Sequence, residues 1–456
     1  MIDASTQDVS GAIGAEVRGR QTRFHGVGID TRTLPPEALF VALPGDRVDG
    51  HDYVQAAHNR GASAALVERF IDSDITQLKC DNAAAAFARL AAHWRRQFDL
   101  PVVGITGSNG KTSVKTMLAA IVTQGKRALV TEGNLNNELG VPLTLCRLSK
   151  DHDVAVIEMG AGQPGDIAYL AALACPDVAL INNAGPAHLE RMGSLDGVAK
   201  TKGEMLDGLP PEGTAVLNAD DPYFDVWVQR AQGRRIVSFG LNAGADVQAS
   251  GRPTSAGIEV TFRRAVGELT ATLHCRGEHN VANAAAAVAA ATVLGISDEQ
   301  ITVGLAAYEP VDGRLNVRPM RGGWQLLQDA YNANPASMSA GLKVLAAQSG
   351  ERWLIMGDMR ELGDDAAALH FQVGSEAHRL GIERVFALGE LSAHAVAGFN
   401  ADRGQHFLSV DSLIDALAAA MTDATAMDSN LTCLLKGSRG MQMERVLEGL
   451  KRRGVA

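Results

Sequence analysis

The segment Gly107 to Ser113, G-S-N-G-K-T-S, brings together the residue types needed to hold a phosphate chain. Its glycines let backbone N–H groups turn toward an anion, and the helix expected to follow adds its positive end. Lys111 supplies a mobile cation for the outer phosphates, while the Thr112 hydroxyl suits the Mg²⁺ that accompanies them. Gly107, Ser108, Asn109, Gly110, Lys111, Thr112 and Ser113 are therefore the candidate nucleotide-binding residues, with ATP as the expected ligand. The common spacing would place a glycine at Ile105, and Gly107 supplies the turn instead. The plainer alternative is an ordinary strand-to-helix turn that happens to contain G-K-T.

Further polar residues fall where chemistry could converge. Glu158 closes the apolar run V-A-V-I-E-M, where a metal at Thr112 would need a hard oxygen ligand; an ion pair is the structural alternative. His188, in N-N-A-G-P-A-H-L-E, reads by itself as a capping or packed histidine more readily than as a ligand. Lys200 and Lys202 follow on a helix, where solvation is the default. Asn134, Asn136 and Asn137 suit sugar, phosphate or carboxylate, or simply turn hydrogen bonds. His279, Asn280 and Asn283 open an alanine-rich helix, as a cap or as contacts to a nucleotide base.

These residues need a scaffold, and the pattern is α/β. Short strands alternate with helices in the first 98 residues, around the polar clusters G-I-D-T-R-T and G-D-R-V-D-G-H-D-Y. A helix over 82–98 ends before Pro101, which marks a boundary. From Val102 to about Pro310, strands and helices of crossover length predict a doubly wound, mostly parallel sheet with ligands at the carboxyl ends of its strands. The strand-period stretch Val247 to His274 predicts an antiparallel appendage. Near Gly313 the alternation restarts as a Rossmann-like unit without a G-x-G-x-x-G turn, so a dinucleotide site is not indicated. Three domains follow: 1–98, 99–312 and 313–456.

Composition narrows the classes. Over 456 residues, 46% hydrophobic and 21% charged content describe a globular chain able to bury several cores. A net charge of −10 disfavours nonspecific binding to nucleic acid or anionic lipid. Five scattered cysteines without a C-x-x-C pair argue against a disulfide framework and a zinc site. Neither a signal peptide nor a membrane span is legible, so a cytoplasmic location without membrane insertion is expected.

The motifs G-S-N-G-K-T, E-M-G-A, P-A-H-L-E, A-K-T-K-G-E and G-E-H-N-V-A-N-A resemble those of the Mur ligases of peptidoglycan synthesis. The segments T-E-G-N-L-N-N-E-L-G-V-P, D-A-Y-N-A-N-P-A-S-M, G-D-M-R-E-L-G and K-G-S-R-G-M look like those members that join D-alanyl-D-alanine to UDP-N-acetylmuramoyl-tripeptide. The resemblance runs from about Gly28 to the C-terminus. It implies a UDP-sugar domain, a central ATPase, a mobile C-terminal ligase domain, and amide formation through an acyl phosphate.

Carried over by position, the resemblance implies a catalytic set of Lys111, Glu158, His188 and Lys202, with Thr112, Glu158 and His188 holding Mg²⁺, two ions in all. Lys202 would carry a carbamate, although Lys200 lies beside it. Asn280, Arg314, Asp329, Tyr331 and Asn332 would contact the nucleotide. Thr31, Arg32, Asp49 and His51, with Asn134, Asn136 and Asn137, would bind substrate. A monomer is expected, with no nucleic acid partner. Two other readings remain: a different member of the ligase superfamily, such as an amino-acid-adding Mur ligase or folylpolyglutamate synthase, and an ATP-binding protein that does not ligate.

Overall fold

The computed structural model describes all residues except 46, 322, 401, 427–429 and 456, together with the side chains of 423, 425 and 426. Asp46, in the second N-terminal polar cluster, and Gly322, Ala401, 427–429 and Ala456, in the expected third unit, lie outside the described residues.

A nine-stranded sheet occupies the centre. Its parallel part begins at the edge strand Ala128–Val130 and runs through Val154–Glu158, Val102–Thr106, Val178–Ile181, Thr214–Asn218 and Arg235–Gly240. Val102–Thr106 lies where the strand order reverses: the chain goes first to the edge strand Ala128–Val130, steps back to Val154–Glu158, then crosses over and winds outward on the other side. In such sheets a crevice opens beyond the carboxyl ends of the strands at that point. Register holds Glu158 beside Ile105 and Ile181 beside Thr106, so three strand ends converge on one place. The central strands are near-continuous apolar runs because both faces are covered. Val102, Ala155 and Ile157 enter one apolar layer, and Val103, Ile105 and Val156 enter the other.

The stretch expected as an appendage is continuous with this sheet. Val247–Thr254 pairs in parallel with Arg235–Gly240, and the antiparallel strands Gly257–Arg264 and Gly267–Leu273 then extend the edge. Helix Glu278–Val293 packs against the sheet and against helix Lys111–Val122, with all its alanines from Ala284 to Ala287 and Ala289 to Ala291 fully buried.

The N-terminal unit is a five-stranded sheet with a two-stranded one beside it. Its strands are only two to four residues long, and several of them, among them Glu16–Arg18 and Thr76–Lys79, lack the apolar runs that mark the central strands. Helix Ala83–Arg95 shares an apolar layer with the central sheet, and Arg95 Nε donates to Ala174 O at 2.9 Å. The C-terminal unit is a six-stranded sheet, parallel except for the edge strand Asn316–Pro319, with apolar layers of its own.

Candidate functional site

A cleft of about 940 Å³ opens at the reversal point, between the central and C-terminal sheets. Ser108, Asn109, Gly110, Lys111 and Ser113 line it, as do Asn136, Asn137, Glu158, His188, Asn280, Arg314, Asp329, Tyr331 and Asn332. Fifteen residues or more separate successive groups in sequence, and the topology brings them to one wall. Asn134 is exposed outside this lining. Gly107 and Thr112 lie just behind it, at the base of the loop.

The loop is built from strand end to helix start. Gly110 sits in the left-handed region at φ 78° and directly precedes helix Lys111–Val122. A Cβ there would come within 2.3 Å of Asn283 Oδ1 and 2.5 Å of Asn182 Nδ2, so only glycine fits. Asn182 Nδ2 donates to Asn109 O at 2.9 Å and to Asn283 Oδ1 at 3.0 Å. Asn109 N donates to Asn183 Oδ1 at 2.8 Å, and Ser108 Oγ donates to Gly185 O at 3.0 Å. These bonds fix the loop before any ligand arrives, which lowers the ordering cost of binding. Asn182 and Asn183 directly follow the neighbouring strand Val178–Ile181. Their motif is visible in the sequence, but their contact with Asn109 depends on strand order.

The loop's cations and its carboxylate are buried together. Thr112 Oγ1 donates to Glu158 Oε1 at 3.2 Å, and Asn136 Nδ2 donates to the same oxygen at 2.7 Å. Glu158 Oε2 has no hydrogen-bond partner, although Lys115 Nζ lies 3.2 Å away. The metal and ion-pair readings of Glu158 thus coexist: one oxygen is fixed by protein donors, and the other keeps lone pairs beside a cation. Lys115, 4% exposed, is a site residue the sequence reading missed, because its helical position looks like any other lysine. Lys111 folds back on its own loop, donating to Gly107 O at 2.7 Å. Burial lowers its pKa to about 8, with Arg314 adding and Glu158 opposing. Lys202 is buried, whereas Lys200 is exposed. Burial, then the Lys111 charge, lowers the Lys202 pKa to about 7.

The C-terminal unit closes the other side through polar contacts. Arg314 stacks 4.0 Å over the Tyr331 ring and donates from a terminal guanidinium nitrogen to Thr112 Oγ1 at 3.2 Å. Asn334 Nδ2 donates to Asn109 Oδ1 at 2.8 Å while its Oδ1 caps helix Pro335–Ala346. Asn334 went unrecognised beside Asn332, since its cap role hides the second bond. Asp329 is bound to the buried Lys436 at 2.5 Å, and Lys436 also donates to Asn332 O at 2.9 Å. Burial weakens the charge on both members of that pair. His188, half-buried with φ 55°, presents Nδ1 to Glu361 of the C-terminal unit.

The N-terminal candidates lie apart from this cleft. Arg32 is exposed and paired with Asp30 at 2.6 Å, next to Thr31. Asp49 accepts from His51 Nδ1 at 2.6 Å and from Arg69 at 2.7 Å. His51 is 1% exposed, and its Nε2 accepts from Glu68 N at 2.8 Å. Both of its ring nitrogens are therefore spent on holding the loop, which leaves Asp49 and Arg32 as the polar surface there.

Family models match along the chain in the same order as the sheets: the Mur ligase family catalytic domain at 23–95, the middle domain at 105–291, and the glutamate ligase domain at 313–439. The chain is 42% identical to the UDP-N-acetylmuramoyl-tripeptide–D-alanyl-D-alanine ligase of Escherichia coli K12, with 100% of each chain covered. The chain belongs to the Mur ligase family. Its relatives include the ligase of the same name from Bacillus subtilis, at 34% identity with 94% of each covered. Among solved family structures, MurF from Acinetobacter baumannii superposes with a TM-score of 0.93, at 33% identity over 99% of both chains. MurF from Thermotoga maritima, solved in complex with ADP, superposes at 0.82 with 28% identity, covering 94% of this chain and 98% of that one.

Among the described residues no helix is long and apolar enough to cross a membrane, and no three His, Cys, Asp or Glu side chains form a metal cage.

Proposed function

We propose that this chain is an ATP-dependent amide ligase that joins D-alanyl-D-alanine to the peptide carboxylate of UDP-N-acetylmuramoyl-tripeptide, making a precursor of peptidoglycan. One observation carries the reading: a buried carboxylate, Glu158, whose second oxygen is ion-paired to Lys115 but makes no hydrogen bond, adjoins the Thr112 hydroxyl at the start of the phosphate-loop helix, inside a cleft shared by two units. The likeness to the E. coli ligase over the whole length names the substrates.

ATP would lie with its outer phosphates on the loop 107–113, against Lys111 and the helix N-terminus. Arg314, already directed at Thr112, reaches the same phosphates from the C-terminal side. The Glu158 oxygen that makes no hydrogen bond, the Thr112 hydroxyl and His188 would hold Mg²⁺, which would neutralise charge on the phosphates when bound, with Lys115 giving up its ion pair to Glu158. A second ion would need the carbamate on Lys202 as a further anionic donor beside His188.

A carboxylate is a poor electrophile, whereas an acyl phosphate offers a good leaving group once water is excluded. The tripeptide carboxylate therefore attacks the γ-phosphorus first, breaking the β–γ bond and releasing ADP, and the dipeptide amine then attacks the acyl carbon, displacing phosphate and losing its proton to solvent. Lys202 is the better candidate for carbamate formation than Lys200, because only an uncharged amine reacts with CO₂ and burial favours that form. The N-terminal sheet would take the UDP-sugar through Arg32 and Asp49 with the neighbouring Thr31, leaving His51 to shape the loop. The amides Asn136 and Asn137, with Asn134 on the same loop, would meet the peptide. Asn280, Tyr331 and Asn332 line the remaining wall for the nucleoside, with Asp329 held beneath them by Lys436. The chain would act as a cytoplasmic monomer.

Phosphate release tests the reading: it should require ATP, UDP-N-acetylmuramoyl-tripeptide and D-alanyl-D-alanine together, and Lys111→Ala should lower it by on the order of 10³-fold in a folded protein. Borohydride should trap the acyl phosphate before dipeptide is added. Release that needs only a single L-amino acid as acceptor would sink the substrate assignment, and near-full turnover in Lys111→Ala would sink the loop's role.

A further inference from the structure

His188 and Glu361 meet across the junction between the central and C-terminal units, 173 residues apart in the chain. Both are non-glycine residues held at positive φ, 55° for His188 and 62° for Glu361. That conformation is unfavourable for a residue with a Cβ and persists only where surroundings enforce it. Here the two strained positions face each other, and a backbone bond from Glu190 N to Glu361 O at 3.4 Å runs alongside. The Glu361 carboxylate engages Nδ1 of the imidazole, while the ring itself lines the cleft. Among the described residues no hydrogen bond occupies His188 Nε2.

The geometry points to Glu361 as a positioning residue: its carboxylate accepts the Nδ1 proton of His188, fixing the tautomer and ring orientation that leave Nε2 free to bind a metal ion. This rests on the ligase reading above, in which His188 is a metal ligand. The physics is general. A ligating histidine whose other nitrogen donates to a carboxylate is held in one tautomer and made more basic, and loss of that partner costs about 10–100-fold in metal affinity or activity. What this chain adds is the source of the carboxylate. His188 belongs to the central unit and Glu361 to the C-terminal unit, whose apolar layers are separate. The histidine is therefore oriented only when the two units are docked, so metal binding at His188 reports closure. Arg314 brings phosphate contacts from the same unit, and Glu361 does the same for the histidine side of the cleft.

The full-length protein with ATP and Mn²⁺ as the probe provides the test, read by electron paramagnetic resonance. In the parent protein, bound Mn²⁺ should show nitrogen coupling from an imidazole, and His188→Ala should remove it. Glu361→Ala should weaken Mn²⁺ binding by about tenfold or more and diminish the coupling. Glu361→Gln should restore most of both, since an amide oxygen still accepts from Nδ1–H. Coupling and affinity that survive in Glu361→Ala would overturn the inference and leave the ligase reading standing. Tighter Mn²⁺ binding in Glu361→Ala would also overturn it, by showing that the carboxylate competes with the metal. Absence of imidazole coupling in the parent protein would overturn both the inference and the metal role of His188, while ligation itself stays separately measurable as dipeptide-dependent phosphate release.

Discussion

Two junctions flank the central sheet, and they are made of different material. On the N-terminal side, helix Ala83–Arg95 buries Phe87 and Leu90 in the same apolar layer as Ile157 and Leu170. On the C-terminal side the contacts are polar: Arg314 to Thr112, Asn334 to Asn109 and Glu361 to His188. An apolar seam gains free energy from every atom kept from water and gives no alternative arrangement of comparable stability. Polar contacts can be exchanged for water or ligand at small net cost. The first junction therefore welds the N-terminal unit to the ATP site, and the second docks a unit that can leave and return. Substrate presentation would be static and closure would come from the C-terminal side.

The strongest way to break this contrast is to cut the weld. Phe87→Ala should cost about 3–5 kcal/mol and lower the urea midpoint of the N-terminal and central units together, in one transition. Separate transitions for those two units would show that the seam is not shared. Arg314→Ala acts on the docked side, and it should reduce kcat by on the order of 10²–10³-fold with little change in melting temperature. A melting temperature that falls as far as in Phe87→Ala would mean that the second junction is structural too.

Acid should act on the docked side. Burial and then the Lys436 charge hold His279 neutral, with its pKa lowered to about 4 from an ordinary 6.5. Lys436 belongs to the C-terminal unit, so undocking removes part of that penalty. The undocked state takes up the proton first. Docking is thus at full strength above pH 6.5 and weakens as pH falls toward 4. Solution scattering across that range should show expansion at low pH, diminished in His279→Gln; a pH-independent profile would count against it. The smallest effect is expected for Asn334→Ala, which loses a helix cap and one interdomain hydrogen bond. It should cost about 1 kcal/mol of stability and shift the scattering profile toward the open form even at neutral pH.

The central and C-terminal sheets were legible because their signals are local. Strands Thr214–Asn218, Arg384–Leu388 and Leu431–Lys436 fall where their apolar runs lie, and the phosphate loop is announced by its own glycines and lysine. The N-terminal strands were harder, since Glu16–Arg18 is wholly exposed and Val27–Gly28 has two residues, too few for any periodicity. At the site, the residues that escaped notice are those whose partners lie far off in sequence. Asn182 depends on Asn283, 101 residues away, and Asn334 on Asn109, 225 residues away. Lys115 carries no local signal, and Lys436 is marked only by its motif K-G-S-R-G-M; the fold buries them against Glu158 and Asp329. His51 carries the opposite lesson: a histidine in a polar cluster can be wholly occupied with its own loop.

The buried alanines of helix Glu278–Val293 have a consequence for how this protein can change over generations. Methyl side chains let the helix lie close to helix Lys111–Val122, and that spacing sets how far Asn283 reaches toward Gly110. A larger residue at Ala286 or Ala290 would thicken the gap, and a displacement of roughly 1 Å at the reacting groups can cost on the order of 10²-fold in rate. The cost of enlarging this stretch is therefore felt at the site, although these alanines lie behind it. A saturation library should find the buried alanines 284–287 and 289–291 intolerant of larger residues, and the exposed Glu278 free to vary.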